Sequence, residues 1–184
     1  PAWVTGTTDN SAEEQTAVLT LSATDTDTAD SGGLTYTLVT DDPKTGTQFA
    51  VATNGVVTFS SAPDYDSANY CGANGDSNTC VIIVHVVDAA SQAPSDLTIT
   101  VTITDTNDQT PAWATGATDN SAEAQTAVLT LSATDTDTAD SGGLTYTLVT
   151  DDPKSGTQFA VAANGAVTFS SAPDYEAANY CGAG

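Results

Sequence analysis

The sequence predicts an all-β chain made of two tandem antiparallel β-sandwiches, each of about seven short strands, with the second copy incomplete. Two observations predict this fold. Apolar and polar residues alternate with a period of two in most segments, and no segment shows a convincing helical stripe. In addition, the chain repeats itself at an interval of 110 residues, which is the size of a small domain.

The repeat divides the chain into two predicted domains. Residues 111–184 copy residues 1–74 with nine differences, at positions 4, 7, 14, 45, 53, 56, 66, 67 and 74 of the first copy. We assign repeat 1 to residues 1–110 and repeat 2 to residues 111–184. The second copy has no counterpart of Cys80 to Thr110, which carries the last two predicted strands. Either the chain is a fragment of a longer array, which is the simpler interpretation, or a neighbouring chain supplies these strands.

The strands are predicted from their alternation. Residues 97–104, LTITVTIT, place apolar side chains on one face and threonines on the other, as a half-buried strand requires. Asn54-Gly55 separates two further runs and suits a tight turn with a positive φ. The other strands are predicted at 19–23, at 34–38, on either side of the turn within 48–59, at 80–87, near Trp3 and before Val18. About seven strands in 110 residues indicate a β-sandwich.

The charge of the chain excludes several functions. It has 24 acidic residues against two basic ones, Lys44 and Lys154, and a formal net charge of −22. Binding to nucleic acid or to an anionic membrane surface needs Lys and Arg, so neither is expected. No apolar stretch reaches the ~18 residues of a membrane span, so direct membrane insertion is not expected. No segment resembles a signal peptide, so we expect a mature or excised fragment.

Two of the three cysteines bracket a short loop. Cys71 and Cys80 enclose GANGDSNT, and a disulfide closing such a loop contributes roughly 2–3 kcal/mol in the chain-entropy model. The alternatives are two free buried thiols or, less favoured, a metal-binding pair, since no further Cys or His is near in sequence. A disulfide indicates an oxidising, extracytoplasmic compartment. Cys181 corresponds to Cys71, and its partner would lie beyond Gly184.

Several short motifs resemble those of a cadherin repeat, in the order and spacing of that family. DTNDQTP at 105–111 resembles the DxNDNxP signature, ATDTDT at 23–28 and 133–138 the AxDxD element, and PDYD at 63–66 and PDYE at 173–176 the DRE/DYE element. AEEQTAV at 12–18 is similar to the opening of bacterial cadherin-like repeats, and LTYTL at 34–38 to the third strand. Each motif is weak alone. Together they imply a Greek-key, Ig-like sandwich and a Ca²⁺ site at the junction of the repeats.

The resemblance implies a particular ligand set. Carboxylates of both repeats would meet at one linker, together with the Asn107 amide and the backbone carbonyls of Thr106, Gln109 and a residue near Ser141. The implied carboxylates are Glu13, Asp64, Asp66, Asp105, Asp108, Asp135 and Asp137. Asp25, Asp27 and Asp88 would serve an upstream linker, and Glu123, Asp174 and Glu176 a downstream one. Two departures stand out: Gln109 replaces the Asn of the family, and Asp66 is one methylene shorter than its Glu.

The chemistry of these residues supports the same ion. Ca²⁺ takes six to eight oxygen ligands, and clustered Asp, Glu and Asn without spare His or Cys suit it better than zinc or copper. Without a cation, unit charges about 4 Å apart repel by roughly 4 kcal/mol per pair at an effective dielectric of 20. The alternative is that these residues only form turns or a soluble surface.

The expected function is a calcium-stiffened spacer or adhesion array, extracellular or on the cell surface, whose partners are like repeats. The alternative is a carbohydrate-binding β-sandwich in which Ca²⁺ contacts a glycan, and outward threonines would allow O-linked glycans. We do not expect an enzyme. His85 is the only histidine, and its alternation with Val84 and Val86 places it outward on a strand, where no catalytic triad is evident.

Overall fold

The structure of the chain, a computed structural model, describes residues 1–26, 33–41, 48–67, 70–71, 78–89, 94–116, 118–137, 143–151 and 158–176. The secondary structure of these residues is entirely β. The chain separates into two compact units, unit 1 (Pro1–Thr106) and unit 2 (Asn107–Gly184). The repeat boundaries at 110 and 111 stay a prediction from the sequence.

Unit 1 is a sandwich of two main sheets. One sheet has the strand order β2-β9-β8-β5, the other has the order β3-β7-β6, and β1 pairs with β4 beside them. The strands are β1 (Ala2–Trp3), β2 (Thr8–Ala12), β3 (Ala17–Thr20), β4 (Ala23–Thr24), β5 (Thr35–Thr40), β6 (Phe49–Val51), β7 (Val56–Phe59), β8 (Thr79–Val87) and β9 (Ser95–Thr104). The predicted all-β sandwich class is confirmed.

Two details differ from the predicted strands. β2 runs parallel to β9, from Thr8 opposite Thr100 to Ala12 opposite Thr104, whereas the number of short strands predicted an antiparallel sandwich. A period-two pattern specifies which face a strand buries, but it carries no information on the direction of the strand beside it. The run at 19–23 is also two strands rather than one, because β3 pairs with β7 and β4 pairs with β1.

The core of unit 1 lies between the two sheets. Phe49 and Phe59 pack together from the smaller sheet, with ring centroids 4.9 Å apart. Every second residue of the two long strands of the larger sheet faces them, which is the alternation that defined these strands in the sequence. The inward residues of β8 and β9 that are fully buried are Ile82, Val84, Val86, Ile99, Val101 and Ile103.

The disulfide joins the core to the start of β8. Cys71 and Cys80 are bonded, with Cα atoms 4.9 Å apart, and both are completely buried, which confirms the predicted pairing. Beside it, the Tyr70 hydroxyl donates to the carbonyl of Ser61 at 2.7 Å. Burial raises the pKa of this phenol above its ordinary value. Cys181 lies outside the described residues.

Unit 2 retains only part of this architecture. β11 (Ala127–Thr130), β14 (Ala166–Phe169) and β13 (Phe159–Val161) form a three-stranded sheet in that order, and β10 (Ala112–Trp113) pairs with β12 (Ala133–Thr134). The register of β11 against β14 repeats that of β3 against β7. The near-identical sequence therefore builds the same smaller sheet twice.

Candidate metal centre

Three acids of unit 1 converge beside the end of β2. Glu13, Asp64 and Asp66 each place a carboxylate oxygen within 4.8 Å of the other two. Glu13 is only 1% exposed, whereas Asp66 is half-buried and Asp64 is exposed. The described residues contain no Lys or Arg, since Lys44 and Lys154 lie outside them. No basic side chain of the described part therefore neutralises this cluster.

The backbone fixes the position of Glu13. The Glu13 amide donates to the carbonyl of Thr104 at 3.1 Å, which ties it to the end of β9. The next residue, Glu14, has a φ of 58° and donates to the carbonyl of Pro63 at 2.9 Å. This left-handed residue turns the chain directly after Glu13 and joins it to the loop that carries Asp64 and Asp66.

The Glu13 carboxylate joins two segments of unit 1. Its Oε1 accepts the amide hydrogen of Thr106 at 2.7 Å, and its Oε2 accepts that of Tyr65. Such hydrogen bonds hold the carboxylate in one orientation. The resemblance had assigned Glu13 only as a metal ligand. Its second role as an acceptor for both segments has no signal in the sequence, because it depends on which amides the fold brings near.

The loop after Pro63 is held by its own polar groups. Asp64 Oδ1 accepts the amide hydrogen of Ser67 at 2.9 Å, a local turn that acidic residues favour. The side-chain amide of Asn78 donates to the carbonyl of Tyr65 at 3.0 Å. The predicted motif PDYD is therefore a fixed turn, with one oxygen of Asp64 occupied by the backbone.

Unit 2 holds a second set of predicted ligands close together. Asp108 and Asp137 have carboxylate oxygens within 4.8 Å of each other. The amide of Gln109 donates to Asp137 Oδ2 at 3.0 Å, and its side chain donates to Asp108 Oδ1 at 2.7 Å. The amide of Asp137 donates to Asp135 Oδ1 at 3.1 Å. The segment 107–109 and the AxDxD element are thus joined within unit 2.

One oxygen of this set is left without a hydrogen bond. Asp137 is completely buried, and its Oδ1 has no hydrogen-bond partner among the described residues. A buried carboxylate oxygen without a donor is costly unless a cation binds it. The residues of both units offer only oxygen ligands, which is the donor set that Ca²⁺ prefers. The ligands therefore fit the ion that the family implies.

A third cluster in unit 2 repeats the first. Glu123, Asp174 and Glu176 place carboxylate oxygens within 4.8 Å of one another, and all three are exposed. The amide of Tyr175 donates to Glu123 Oε2 at 3.0 Å, as Tyr65 does to Glu13. The repeated sequence therefore builds the same group of acids twice.

Of the other predicted ligands, four lie in the described residues and two lie outside them. Asp88 is buried at the end of β8, and Asp25 forms an ion pair with the amino group of Pro1 at 3.0 Å. Asp105 and Asn107 are described and both make contacts in the structure. Asp27 and Ser141 lie outside the described residues.

His85 lies outward on β8, as its alternation predicted. Its Nδ1 contacts Asp96 Oδ1 across the β8–β9 pair. His85 and Asp96 therefore form a cross-strand pair of side chains.

Comparison with known proteins identifies the family. A family model described as the cadherin domain matches residues 5–104, more than half of the chain, and the chain therefore belongs to the cadherin family. No curated protein matches the sequence of this chain. Within the described residues, no helix is long and apolar enough to cross a membrane.

Solved cadherin ectodomains share the fold. Human protocadherin-24 EC1-2 matches with a TM-score of 0.70 and 21% identity, covering 95% of this chain and 78% of that chain. Mouse cadherin-23 EC22-24 matches at 0.64 and 22%, covering 91% of this chain and 51% of that one. Drosophila N-cadherin EC1-4 matches at 0.63 and 20%, covering 94% and 40%. These identities are low, so the likeness concerns the fold.

Proposed function

We propose that this chain is part of a calcium-binding, extracellular repeat array that acts as a rigid adhesive or fibre-forming spacer. The observation that carries the proposal is the convergence of Glu13, Asp64 and Asp66, with no Lys or Arg among the described residues to neutralise them. The membership of the cadherin family supports an adhesion-type repeat, because the solved structures that share the fold are ectodomains of adhesion proteins.

In this proposal the two units share their ligands. Thr106 ends unit 1 and Asn107 begins unit 2, so the chain itself carries the predicted ligands on either side of this boundary directly from one unit into the next. Unit 1 would contribute Glu13, Asp64, Asp66 and Asp105. Unit 2 would contribute Asn107, Asp108, Asp135 and Asp137. Bound Ca²⁺ would supply positive charge that offsets the repulsion among these acids.

The partners in this proposal are like repeats of the same or another chain. One solved structure with this fold is described as a protocadherin gammaB7 EC3-6 cis-dimer, with 20% identity over 92% of this chain. That description concerns the other protein, and it makes association between repeats the first interaction to test here.

The carbohydrate-binding alternative needs an aromatic side chain exposed at a loop tip. In unit 1, Trp3 packs against Tyr36 with ring centroids 5.8 Å apart, and its indole N–H donates to the carbonyl of Ser95 at 3.3 Å. This tryptophan is part of the packing of the sandwich. Unit 1 therefore gives the carbohydrate alternative no support.

Calorimetry with one charge-removing substitution tests the metal. We expect the chain to bind Ca²⁺ with a dissociation constant of about 10⁻⁴ to 10⁻³ M, as extracellular modules do. Glu13→Gln removes one negative charge and one acceptor oxygen, so we expect its affinity to fall at least tenfold, roughly 1.4 kcal/mol or more.

Asp119→Asn is the matched control for that titration. Asp119 is an exposed acid outside the proposed site, where its Oδ2 accepts a hydrogen bond from Ser121, so its replacement should leave the affinity unchanged. Far-UV circular dichroism must show that the Glu13→Gln chain is folded. An absence of binding heat in the unsubstituted chain at about 10 mM Ca²⁺, well above the expected dissociation constant, contradicts the proposal.

A further inference from the structure

Tyr65 lies between Asp64 and Asp66, and both of its backbone polar groups are fixed by hydrogen bonds. Its amide donates to Glu13 Oε2, and its carbonyl accepts a hydrogen bond of 3.0 Å from the side-chain amide of Asn78. A carbonyl oxygen can only accept, so it is the NH₂ group of Asn78 that faces it. Because the two acids are the residues on either side, the orientation of this short backbone segment decides where their carboxylates lie.

Asn78 is itself held at the start of β8. Its backbone carbonyl accepts the amide hydrogen of Ile103 at 2.7 Å, which continues the pairing of β8 with β9 by one more hydrogen bond. Two residues later, Cys80 is bonded to Cys71, and both cysteines are completely buried. The side chain of Asn78 therefore extends from a backbone that a sheet and a covalent bond both fix.

The strand that Asn78 pairs with also holds the third acid of the cluster. Directly after that pair, the Thr104 carbonyl accepts the amide hydrogen of Glu13, and the Thr106 amide donates to Glu13 Oε1. The hydrogen bonds of Asn78 therefore reach both Tyr65, between two of the acids, and the end of β9, which holds the third. Asn78 carries no charge and lies outside every acid motif, so the sequence gives no signal for this connection.

We infer that Asn78 is a positioning residue of the calcium site, which rests on the function proposed above. Its side-chain amide holds the carbonyl of Tyr65, and through it keeps Asp64 and Asp66 in the arrangement that binds the ion, while Asn78 itself is not a ligand. Side chains that orient the ligands of a metal raise its affinity, because the ligands are already ordered before the ion binds. The loss of such a partner typically lowers metal affinity by roughly 10- to 100-fold.

A calcium titration of the whole chain tests this role. Asn78→Leu keeps the size of the side chain but removes its N–H donor, so we expect Ca²⁺ to bind about tenfold more weakly or worse. Nuclear magnetic resonance should follow the titration at the backbone amide of Tyr65, which lies within the cluster.

Asn78→Asp separates positioning from charge. It keeps the shape of the side chain but places a carboxylate against the carbonyl of Tyr65, so we expect weaker calcium binding here as well. An added negative charge would by itself strengthen the binding of a cation. Far-UV circular dichroism must show that each variant is folded, and Asn78→Asp decides the question if the leucine variant is not.

A second measurement needs no calcium. In the presence of chelator, the backbone amide of Tyr65 should exchange its hydrogen about tenfold faster or more in the Asn78→Leu chain, because its segment has lost one of two fixed contacts. The amide of Tyr175, which donates to Glu123 in unit 2, is the internal control. It should exchange at the same rate in both chains.

Asn54→Ala is the matched control for the titration. Asn54 Oδ1 accepts the amide hydrogen of Val56 at 3.3 Å in the turn between β6 and β7, so this variant also removes a hydrogen bond between an asparagine side chain and the backbone. The turn carries none of the acids. The calcium affinity should therefore change by less than about twofold.

Three results overturn the positioning role while leaving the calcium proposal intact. They are a loss of affinity in Asn78→Leu no larger than that in Asn54→Ala, tighter binding by Asn78→Asp, and unchanged hydrogen exchange at Tyr65. The absence of calcium binding in the unsubstituted chain is a different failure. It overturns the proposed function, and the positioning role with it, whatever the exchange rates show.

Discussion

At the scale of single residues, Glu13 and Glu123 show how neighbours alter equivalent side chains. Both carboxylates accept the amide hydrogen of a tyrosine two residues after a proline. Only Glu13 also accepts the amide hydrogen of Thr106, and only Glu13 is buried. The loop 52 residues further along the chain therefore holds the carboxylate in both units, and in unit 1 Thr106, more than ninety residues away, adds a second donor.

Gly55 is a residue that the structure requires to be glycine. Its φ is +91°, and a Cβ at this position would lie 2.8 Å from the carbonyl oxygen of Leu21. Gly55→Ala should lower the free energy of unfolding by about 1–3 kcal/mol, because the backbone is strained and the carbonyl must move. Urea denaturation measures this change.

Gly6→Ala is the control for that substitution. Gly6 is exposed, and a Cβ added to it would meet open space, so its replacement should change the free energy of unfolding by no more than about 0.5 kcal/mol. Equal effects of the two substitutions would show that the contact with Leu21 does not decide the result.

Asp41 shows that an acid outside the metal site can still be structural. Its Oδ2 accepts the amide hydrogens of Gln48 and Phe49, the latter at 2.9 Å, and Asp151 does the same for Gln158 and Phe159. Because its removal would disturb the start of β6, Asp119 is the better control for every calcium experiment.

At the scale of elements, the side chains of β8 alternate between the core and the outer face of the sheet. Val84 is completely buried, and Val81, on the opposite face of the same strand, is 43% exposed. Val84→Ala should lower the free energy of unfolding by about 2 kcal/mol or more, from lost burial and the cavity left behind.

Val81→Ala removes the same two methyl carbons from the outer face of that strand. It should cost less than half as much, since little apolar surface is lost from the core. Chemical denaturation of both variants gives the comparison. Similar losses for the two valines would contradict the assigned faces of β8.

The disulfide is the covalent element that fixes the start of β8. Replacing both Cys71 and Cys80 by alanine should lower the free energy of unfolding of unit 1 by about 2–5 kcal/mol, because the unfolded chain regains the freedom of the loop and the core loses packed atoms. Thermal denaturation of the two chains measures the loss.

Mass spectrometry checks the pairing itself. Alkylation without reductant should leave Cys71 and Cys80 unmodified, and alkylation after reduction should modify both. Modification of both residues before reduction would contradict the bond.

At the scale of the whole molecule, the calcium proposal predicts a change in flexibility between the units. Removing Ca²⁺ leaves the acids near the junction to repel one another, so we expect the linker to become a hinge while the core of unit 1 stays folded. Small-angle X-ray scattering, with and without chelator, should show greater flexibility in the chelated chain, with unchanged far-UV circular dichroism.

Substitutions at the junction should reproduce part of that change. Asp108→Asn removes one proposed ligand and should increase flexibility in the presence of Ca²⁺, whereas Asp119→Asn should not. Scattering that is the same before and after chelation, with calcium binding shown beforehand, would leave the stiffening role without support.

The class of the fold, and the acids that gather in unit 1, could both be predicted from the order of the residues. Alternation predicted the strands, the Asn54-Gly55 pair predicted a turn in which Gly55 takes a positive φ, and the cysteine spacing predicted the disulfide. These features depend on neighbours in sequence. The acid motifs likewise predicted which residues would gather, and the structure brings Glu13, Asp64 and Asp66 together within unit 1.

Features that depend on distant partners became visible only in the folded chain. The direction of β2 beside β9, the burial of Glu13 and the strand at 35–40 all require segments far along the chain. TYTLVT illustrates the physical reason, because it is a strand at 35–40, where it pairs with β8, and no strand at 145–150, where none of the described residues pairs with it. Alternation gives a segment a face to bury, but a strand also needs a neighbour to receive its hydrogen bonds.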